Sequence, residues 1–203
     1  GRFDAHDEFA FPLPVNIIAR LLGVPDSDLD QFKYWSDIQV AAMGSPDPTQ
    51  YLEEQQAFLE YMRDQLRSRR RQIKANEDHL DDLLSLVAGA RDESGDFTTE
   101  SDALSVLNQL LVGGNETTTS LITNLLWRLL EQPERWQTLL DDQSLIPQVV
   151  EESLRFDPPV LGLYRNTTRD IVLHGQMIPS GSKVYIHYAA ANRDANVFPD
   201  PDE

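Results

Sequence analysis

The sequence predicts a mainly α-helical protein with a small β portion near its C-terminal end. Three observations carry this. From Val15 to Phe156, apolar residues recur at i, i+3 and i+4, the period of amphipathic helices. Gly and Pro clusters punctuate those runs at Gly23-Val24-Pro25, Gly44-Ser45-Pro46-Asp47-Pro48 and Gln132-Pro133. After Pro159 the apolar runs shorten to strand length and turn residues separate them.

The elements follow in order. Val15, Ile17, Ile18, Leu21 and Leu22 form one helical stripe, with Pro14 in the first turn and Gly23 and Pro25 closing it. Asp26 to Met43 reads as a second helix, with Leu29, Phe32, Trp35 and Ile38 on one face. Tyr51 to about Ile73 is a long helix whose apolar side is Phe58, Tyr61, Met62 and Leu66. It ends in Arg67, Arg69, Arg70, Arg71 and Lys74, cations suited to a helix C-terminus. That run reads first as a solvated face, with a docking patch as the alternative. Asp78 to about Ala90 is a short helix with Leu80, Leu83, Leu84 and Val87 inward. Thr99, with Asp102 three residues on, starts a helix as a capping box does. It runs to about Glu131, where Gln132-Pro133 stops it. Further helices start at Pro133 and near Ser144, the latter ending at Asp157-Pro158-Pro159. Leu163 to Thr168, Ile171 to Leu173 and Lys183 to Ile186 are strands, with His174-Gly175-Gln176 and Pro179-Ser180-Gly181-Ser182 as turns. Tyr188 to Asn192 is one more helical turn.

Composition narrows the partners. The 203 residues carry 34 acidic and 17 basic side chains, a formal charge of −17, so the basic footprint that nucleic acid requires is missing. No apolar run is long enough to span a bilayer, which argues against membrane association. The expectation is a soluble, cytoplasmic, monomeric protein. Cysteine is absent, and the four histidines are scattered, so no metal site is visible. The start at Gly1 and the close on Pro199-Asp200-Pro201-Asp202-Glu203 suggest an internal piece of a longer protein.

The chemistry concentrates in Leu110-Leu111-Val112-Gly113-Gly114-Asn115-Glu116-Thr117-Thr118, in the middle of the longest helix. Two glycines in a helix interior cost about 1 kcal/mol each relative to alanine. They let a flat ligand lie against the backbone and allow a local bulge. Thr117 then turns a hydroxyl toward that ligand, and Glu116 relays protons from solvent. Close helix packing beside a solvated Glu explains the same residues equally well. Glu152-Ser153-Leu154-Arg155 puts an acid and a base on one helical face, by itself an ordinary surface pair. Arg165, on a strand after the rigid Pro158-Pro159 exit, has the fork geometry that grips a carboxylate, although a surface arginine is the commoner role.

Together and in this order, these blocks resemble the cytochrome P-450 family of heme-thiolate monooxygenases, in particular its soluble bacterial members. Gly113-Gly114-Asn115-Glu116-Thr117-Thr118 is similar to the family's oxygen-activation motif, and Glu152-Ser153-Leu154-Arg155 to its Glu-x-x-Arg signature. Pro158-Pro159 with Arg165 resembles the segment that descends to the heme edge. Ala190-Ala191-Asn192-Arg193-Asp194 with Phe198-Pro199-Asp200-Pro201 resembles the stretch that follows, and Phe9 to Val24 a helix preceding the substrate-covering helices. The likeness spans nearly the whole chain and implies the central part of the cytochrome P-450 fold, with residues 1–203 a partial domain.

What the resemblance implies can be placed residue by residue. Thr117 would stabilise bound dioxygen and steer protons to its outer oxygen, and Glu116 would supply them. Gly113 and Gly114 would line the oxygen-binding notch, with Asn115 in a variable place. Arg165 would pair with a heme propionate. Glu152 and Arg155 would form a structural network behind the heme. Val112 and Leu161 flank these segments and are the expected substrate contacts. The cofactor would be heme b. Electrons would come from NAD(P)H through a ferredoxin or similar donor, and the substrate would be an apolar small molecule. The family's iron ligand is a cysteine in a Phe-x-x-Gly loop, which this chain lacks. The resemblance would place that loop after Glu203 and the N-terminal strands before Gly1, leaving this piece inactive alone. A non-catalytic helical binding domain is the rival from another class. Within the family a peroxide-using enzyme is the alternative, against which the intact Glu116-Thr117 pair argues.

Overall fold

The computed structural model describes residues 1–77 and 81–202. They form two compact units, Gly1–Thr119 and Ser120–Glu203.

In the first unit a π-helical turn, His6–Ala10, leads into α1 (Pro12–Leu21). Pro12 and Pro14 occupy its first turn, where a missing N–H loses no helical hydrogen bond. Val15, Ile18 and Leu22 are buried, but Ile17 and Leu21 are exposed. At about 100° per residue those two lie together on one edge of the stripe, and its other side is covered within this unit. The chain then reverses at Gly23, whose φ of +74° is the left-handed conformation that glycine adopts without a Cβ penalty.

A 3-10 turn (Asp26–Asp28) precedes α2 (Leu29–Gly44), which buries Phe32 and Trp35. Leu29 and Ile38 are half-buried at its margins. A second 3-10 turn (Pro48–Tyr51) opens α3 (Leu52–Ala75), which buries Phe58, Met62 and Leu66. Asn76, in the left-handed region, ends α3.

The basic run at the end of α3 is not simply a solvated face. Arg67 grips Glu100 with two hydrogen bonds of 2.7 and 2.9 Å. Arg69 is buried against Asp82, Nη2 to Oδ2 2.9 Å. Arg70 donates to the carbonyls of Ala88 (3.3 Å) and Thr98 (2.8 Å). Arg71 and Lys74 stay exposed. The helix end therefore docks the segments that follow it.

α4 (Leu83–Gly89) is shorter than Asp78 to Ala90. Asp78, His79 and Leu80 lie outside the described residues. Asp82 caps α4 by accepting from the Ser85 amide at 2.7 Å. The Asp102 amide donates to Thr99 Oγ1 at 3.1 Å and the Thr99 hydroxyl to the Asp102 carboxylate at 2.7 Å, fixing the start of α5 (Glu100–Glu131) where the sequence placed it. Phe32, Trp35, Phe58, Leu66, Leu107 and Leu111 are the centre of the core.

The second unit holds the end of α5, α6 (Pro133–Asp141) and α7 (Ile146–Phe156), joined by a 3-10 turn (Gln143–Leu145). β1 (Leu163–Asn166) pairs antiparallel with β4 (Lys183–Ile186), Arg165 opposite Val184. β2 (Ile171–Leu173) pairs with β3 (Gln176–Ile178). The sequence reading missed β3 and assigned Gln176 to the turn. His174 and Gly175 both have positive φ, so they alone make the two-residue turn and Gln176 pairs with Leu173. β1 stops at Asn166, not Thr168, because Thr167 bonds the Pro179–Ser182 turn. α8 (Tyr188–Ala191) closes the unit. No helix among the described residues is long and apolar enough to cross a membrane.

Candidate active site

On α5, Leu107, Leu111, Asn115 and Thr119 recur every four residues and are all buried. Helical geometry sets the opposite face: Gly113 is its centre, and Glu116 (i+3) and Thr117 (i+4) flank it, with Val112 at the edge. Gly113 is exposed, and Val112, Glu116 and Thr117 are half-buried. The motif thus turns one face to the core and the other outward.

The two glycines do different things. A Cβ on Gly113 would meet only Gln109 Nε2, at 3.6 Å, so this part of the helix is bare. A Cβ on Gly114 would press on Ile18 of α1 at 3.3 Å. Close packing accounts for Gly114, and only Gly113 opens the outward face. The expected local bulge does not form, since α5 is α-helical throughout. The Thr117 hydroxyl instead donates back to the Gly113 carbonyl at 2.7 Å, the i−4 bond that helical Thr commonly makes. Glu116 makes no hydrogen bond or ion pair with a described residue.

Asn115 is only 1% exposed. Its Nδ2 donates to the buried Ser36 Oγ of α2 at 2.6 Å, and its Oδ1 accepts from Thr119 Oγ1 at 3.3 Å. The sequence reading had left this residue in a variable place. The signal was available: a four-residue stripe running Leu, Leu, Asn, Thr.

In the second unit Glu152 and Arg155 are more than a surface pair. Arg155 donates to both Glu152 oxygens, at 2.6 and 2.8 Å. Its Nη1 also donates to the carbonyls of Asn192 (3.0 Å) and Pro201 (2.9 Å), which ties α7 to the segment after α8. Asn192 and Arg193 in turn donate to the carbonyls of Leu154 and Phe156, orphan acceptors at the end of α7. Arg128 forks onto Asp157 at 2.6 and 3.2 Å, and Asn124 donates to the Asp157 carbonyl at 3.1 Å. Sequence reasoning had passed over both, because a bond spanning about thirty residues leaves no local pattern.

The hydrogen bonds from Arg155 hold the Glu152 carboxyl below its ordinary range. A carboxylate with a depressed folded pKa stabilises the protein above its unfolded pKa, and that contribution is lost as pH falls through the folded value. Glu152→Gln is therefore expected to lower stability at pH 7 by about 1 kcal/mol or less, because the acid is half exposed. The deficit should close as pH falls below the ordinary glutamate range and through the depressed folded value. Urea midpoints of both proteins across that range check it. A pH-independent deficit would mean that charge is not involved.

Arg165 is exposed on β1, and among the described residues its guanidinium donates only to the Tyr164 carbonyl, at 2.9 Å, with no acid paired to it. Leu161 is exposed just before β1. Glu116, Thr117, Gly113, Gly114 and Val112 belong to the first unit, and Glu152, Arg155, Leu161 and Arg165 to the second. Each unit by itself supplies features that suit a flat, anionic macrocycle: the first a bare helical face with a hydroxyl and a carboxylate beside it, the second an exposed guanidinium. Neither supplies a thiolate for its metal.

Comparison with known proteins gives this geometry its context. The family model for cytochrome P450 matches residues 32–203. Cytochrome P450 107B1 of Saccharopolyspora erythraea is 36% identical over 200 residues, 98% of this chain and 47% of the relative. Vitamin D(3) 25-hydroxylase of Pseudonocardia autotrophica is 37% identical over 203 residues, all of this chain and 48% of the relative. The ligand-free structure of cytochrome P450 TbtJ1 superposes with a TM-score of 0.86 at 37% identity, covering 99% of this chain and 52% of that one. The chain spans about half the length of the curated relatives it matches. With the Gly113–Thr118 motif on α5 in the first unit, the Glu-x-x-Arg pair knitted into the backbone of the second, and the family model matching most of its length, the chain belongs to the cytochrome P450 family.

Proposed function

We propose that this chain is part of a heme-dependent monooxygenase that inserts one oxygen atom of dioxygen into an apolar small molecule, with NAD(P)H electrons delivered by a ferredoxin or similar donor. The observation that carries this is the outward face of α5, where Gly113 leaves the helix bare between Glu116 and Thr117. Heme b, held by a thiolate from outside residues 1–203, would supply the oxidising chemistry. The residues of this chain bind, orient and move protons. Because Thr117 gives its proton to the Gly113 carbonyl, its oxygen lone pairs point outward and accept from a water or a protonated ligand. Rotation about χ1 exchanges that bond for donation into the notch. Glu116, half-buried and with no partner among the described residues, takes protons from solvent and passes them on. Arg165 would neutralise a propionate, and Gly114 serves the notch by letting α1 pack behind it. Glu152 and Arg155 hold the backbone of the second unit and take no part in proton transfer. Val112 and Leu161 are apolar contacts for substrate, in keeping with the vitamin D(3) for which the Pseudonocardia relative is named.

The test is a carbon monoxide difference spectrum of the full-length protein after reduction. The strongly red-shifted band of a thiolate-ligated heme is expected. A protein that takes up no heme would overturn the reading in favour of a non-catalytic helical domain.

A further inference from the structure

We propose that the Ser36–Asn115 hydrogen bond is a positioning clamp that fixes the rotational setting of the Gly113–Thr117 face, which makes Asn115 and Ser36 positioning residues for Thr117 and Glu116. The proposal rests on the monooxygenase reading and adds to it a pair outside the acid–alcohol motif. Four observations support it.

The buried stripe of α5 is apolar at Leu107 and Leu111 and becomes polar at Asn115 and Thr119, level with the functional residues. Apolar side chains would fill this space at least as well, since replacing both partners of a buried hydrogen bond by apolar groups is often neutral. A hydrogen bond adds direction. Leucine contacts tolerate small rotations and slips, whereas an N–O distance of 2.6 Å does not.

The bond is defined at both ends. Thr119 donates to Asn115 Oδ1, which leaves Nδ2 as the atom facing Ser36. Ser36 is buried, beside Trp35 in sequence, on a helix that also buries Phe32, Gln39 and Ala42. The anchor on α2 is therefore rigid.

The clamp acts where α5 is least constrained. Gly113 and Gly114 precede it, and a Cβ at Gly113 would meet only the Gln109 side chain, at 3.6 Å. Glu116 and Thr117 follow Asn115 directly, so its setting is transmitted through one or two peptide units.

The lever is long enough to matter. Side-chain atoms lie about 5–6 Å from a helix axis, so a rotation of about 10° moves the Thr117 oxygen by about 1 Å. Misplacement on that scale costs about 10²-fold in a reaction that depends on orientation.

The test uses the full-length, heme-loaded protein with Ser36→Ala, Ser36→Thr and Asn115→Leu. Three quantities are read: the carbon–oxygen stretch of the ferrous carbonyl complex, product formed per NAD(P)H consumed, and the thermal midpoint. Ser36→Ala is expected to shift or broaden the stretch and to lower product per NAD(P)H about ten-fold. Ser36→Thr, which keeps the hydroxyl, should restore both. If Ser36→Ala lowers only the midpoint, or Ser36→Thr fails to restore the other two readouts, the pair is filler and the clamp is wrong. Asn115→Leu should behave as Ser36→Ala. Should it fail to fold, the Ser36 series decides alone, because it removes a single oxygen. A parent protein without a thiolate-type carbonyl spectrum would instead sink the functional reading, and the clamp with it. A normal parent spectrum, with Thr117→Ala altered and Ser36→Ala unaltered, would sink the clamp alone.

Discussion

Arg69→Met is expected to destabilise the full-length protein by about 3–5 kcal/mol, the range for removing one partner of a buried ion pair. Arg69 and Asp82 side chains are 10% and 7% exposed, so neither charge has water to fall back on. Asp82 is held from three sides. Its Oδ2 receives Arg69, its Oδ1 caps α4 at the Ser85 amide, and a Cβ on Gly23 would come within 2.0 Å of Oδ2. Methionine fills the arginine stem's volume but leaves a buried carboxylate unpaired. Asp82→Asn in the Arg69→Met background should recover a large share of the loss, because it removes the charge and keeps a capping oxygen. Urea midpoints for the two singles and the double give the coupling. A loss below about 1 kcal/mol for Arg69→Met would mean that the pair is solvated after all.

That pair also marks where sequence reading stops. Each α-helix was legible in outline from a 3.6-residue period and a start or stop signal, as at Thr99-Asp102 and Gln132-Pro133, because those signals are local; the π-helical and 3-10 turns and the true length of α4 were not. Arg69 was read first as solvated because the side chain that neutralises it sits thirteen residues away on another element. The same holds for Arg155. The i,i+3 pair with Glu152 was visible, but the carbonyls of Asn192 and Pro201 that pull it inward are 37 and 46 residues on. β3 escaped notice because three residues are too few to establish a period of two.

The candidate site divides in the same way. Its motif was legible because Gly113, Glu116 and Thr117 are near neighbours in sequence and fall on one helical face. Which glycine packs and which one opens the face depends on Ile18, nearly a hundred residues earlier. Asn115 needs the burial of Ser36 to acquire a meaning.

Thr117→Ala in the full-length enzyme is expected to separate electron use from product formation. Product per NAD(P)H should fall about a hundred-fold, the lower end for a positioned proton-transfer group, while NAD(P)H oxidation continues. The structure predicts that the folded state will not suffer. Thr117 gives its hydroxyl to the carbonyl of Gly113, a back-bond that slightly weakens a helix, and alanine has the higher helix propensity. The thermal midpoint should therefore stay level or rise slightly as coupling collapses. Thr117→Ser, which keeps the hydroxyl without the methyl, should retain most of the coupling. Glu116→Gln keeps the shape of the neighbouring side chain and removes its proton. It should slow turnover with a smaller loss of coupling, because the hydroxyl that orients the transfer is still present. If Thr117→Ala turned over with parental coupling, its hydroxyl would be only a helical side chain bonded to its own backbone. The bare face at Gly113 would then need another explanation.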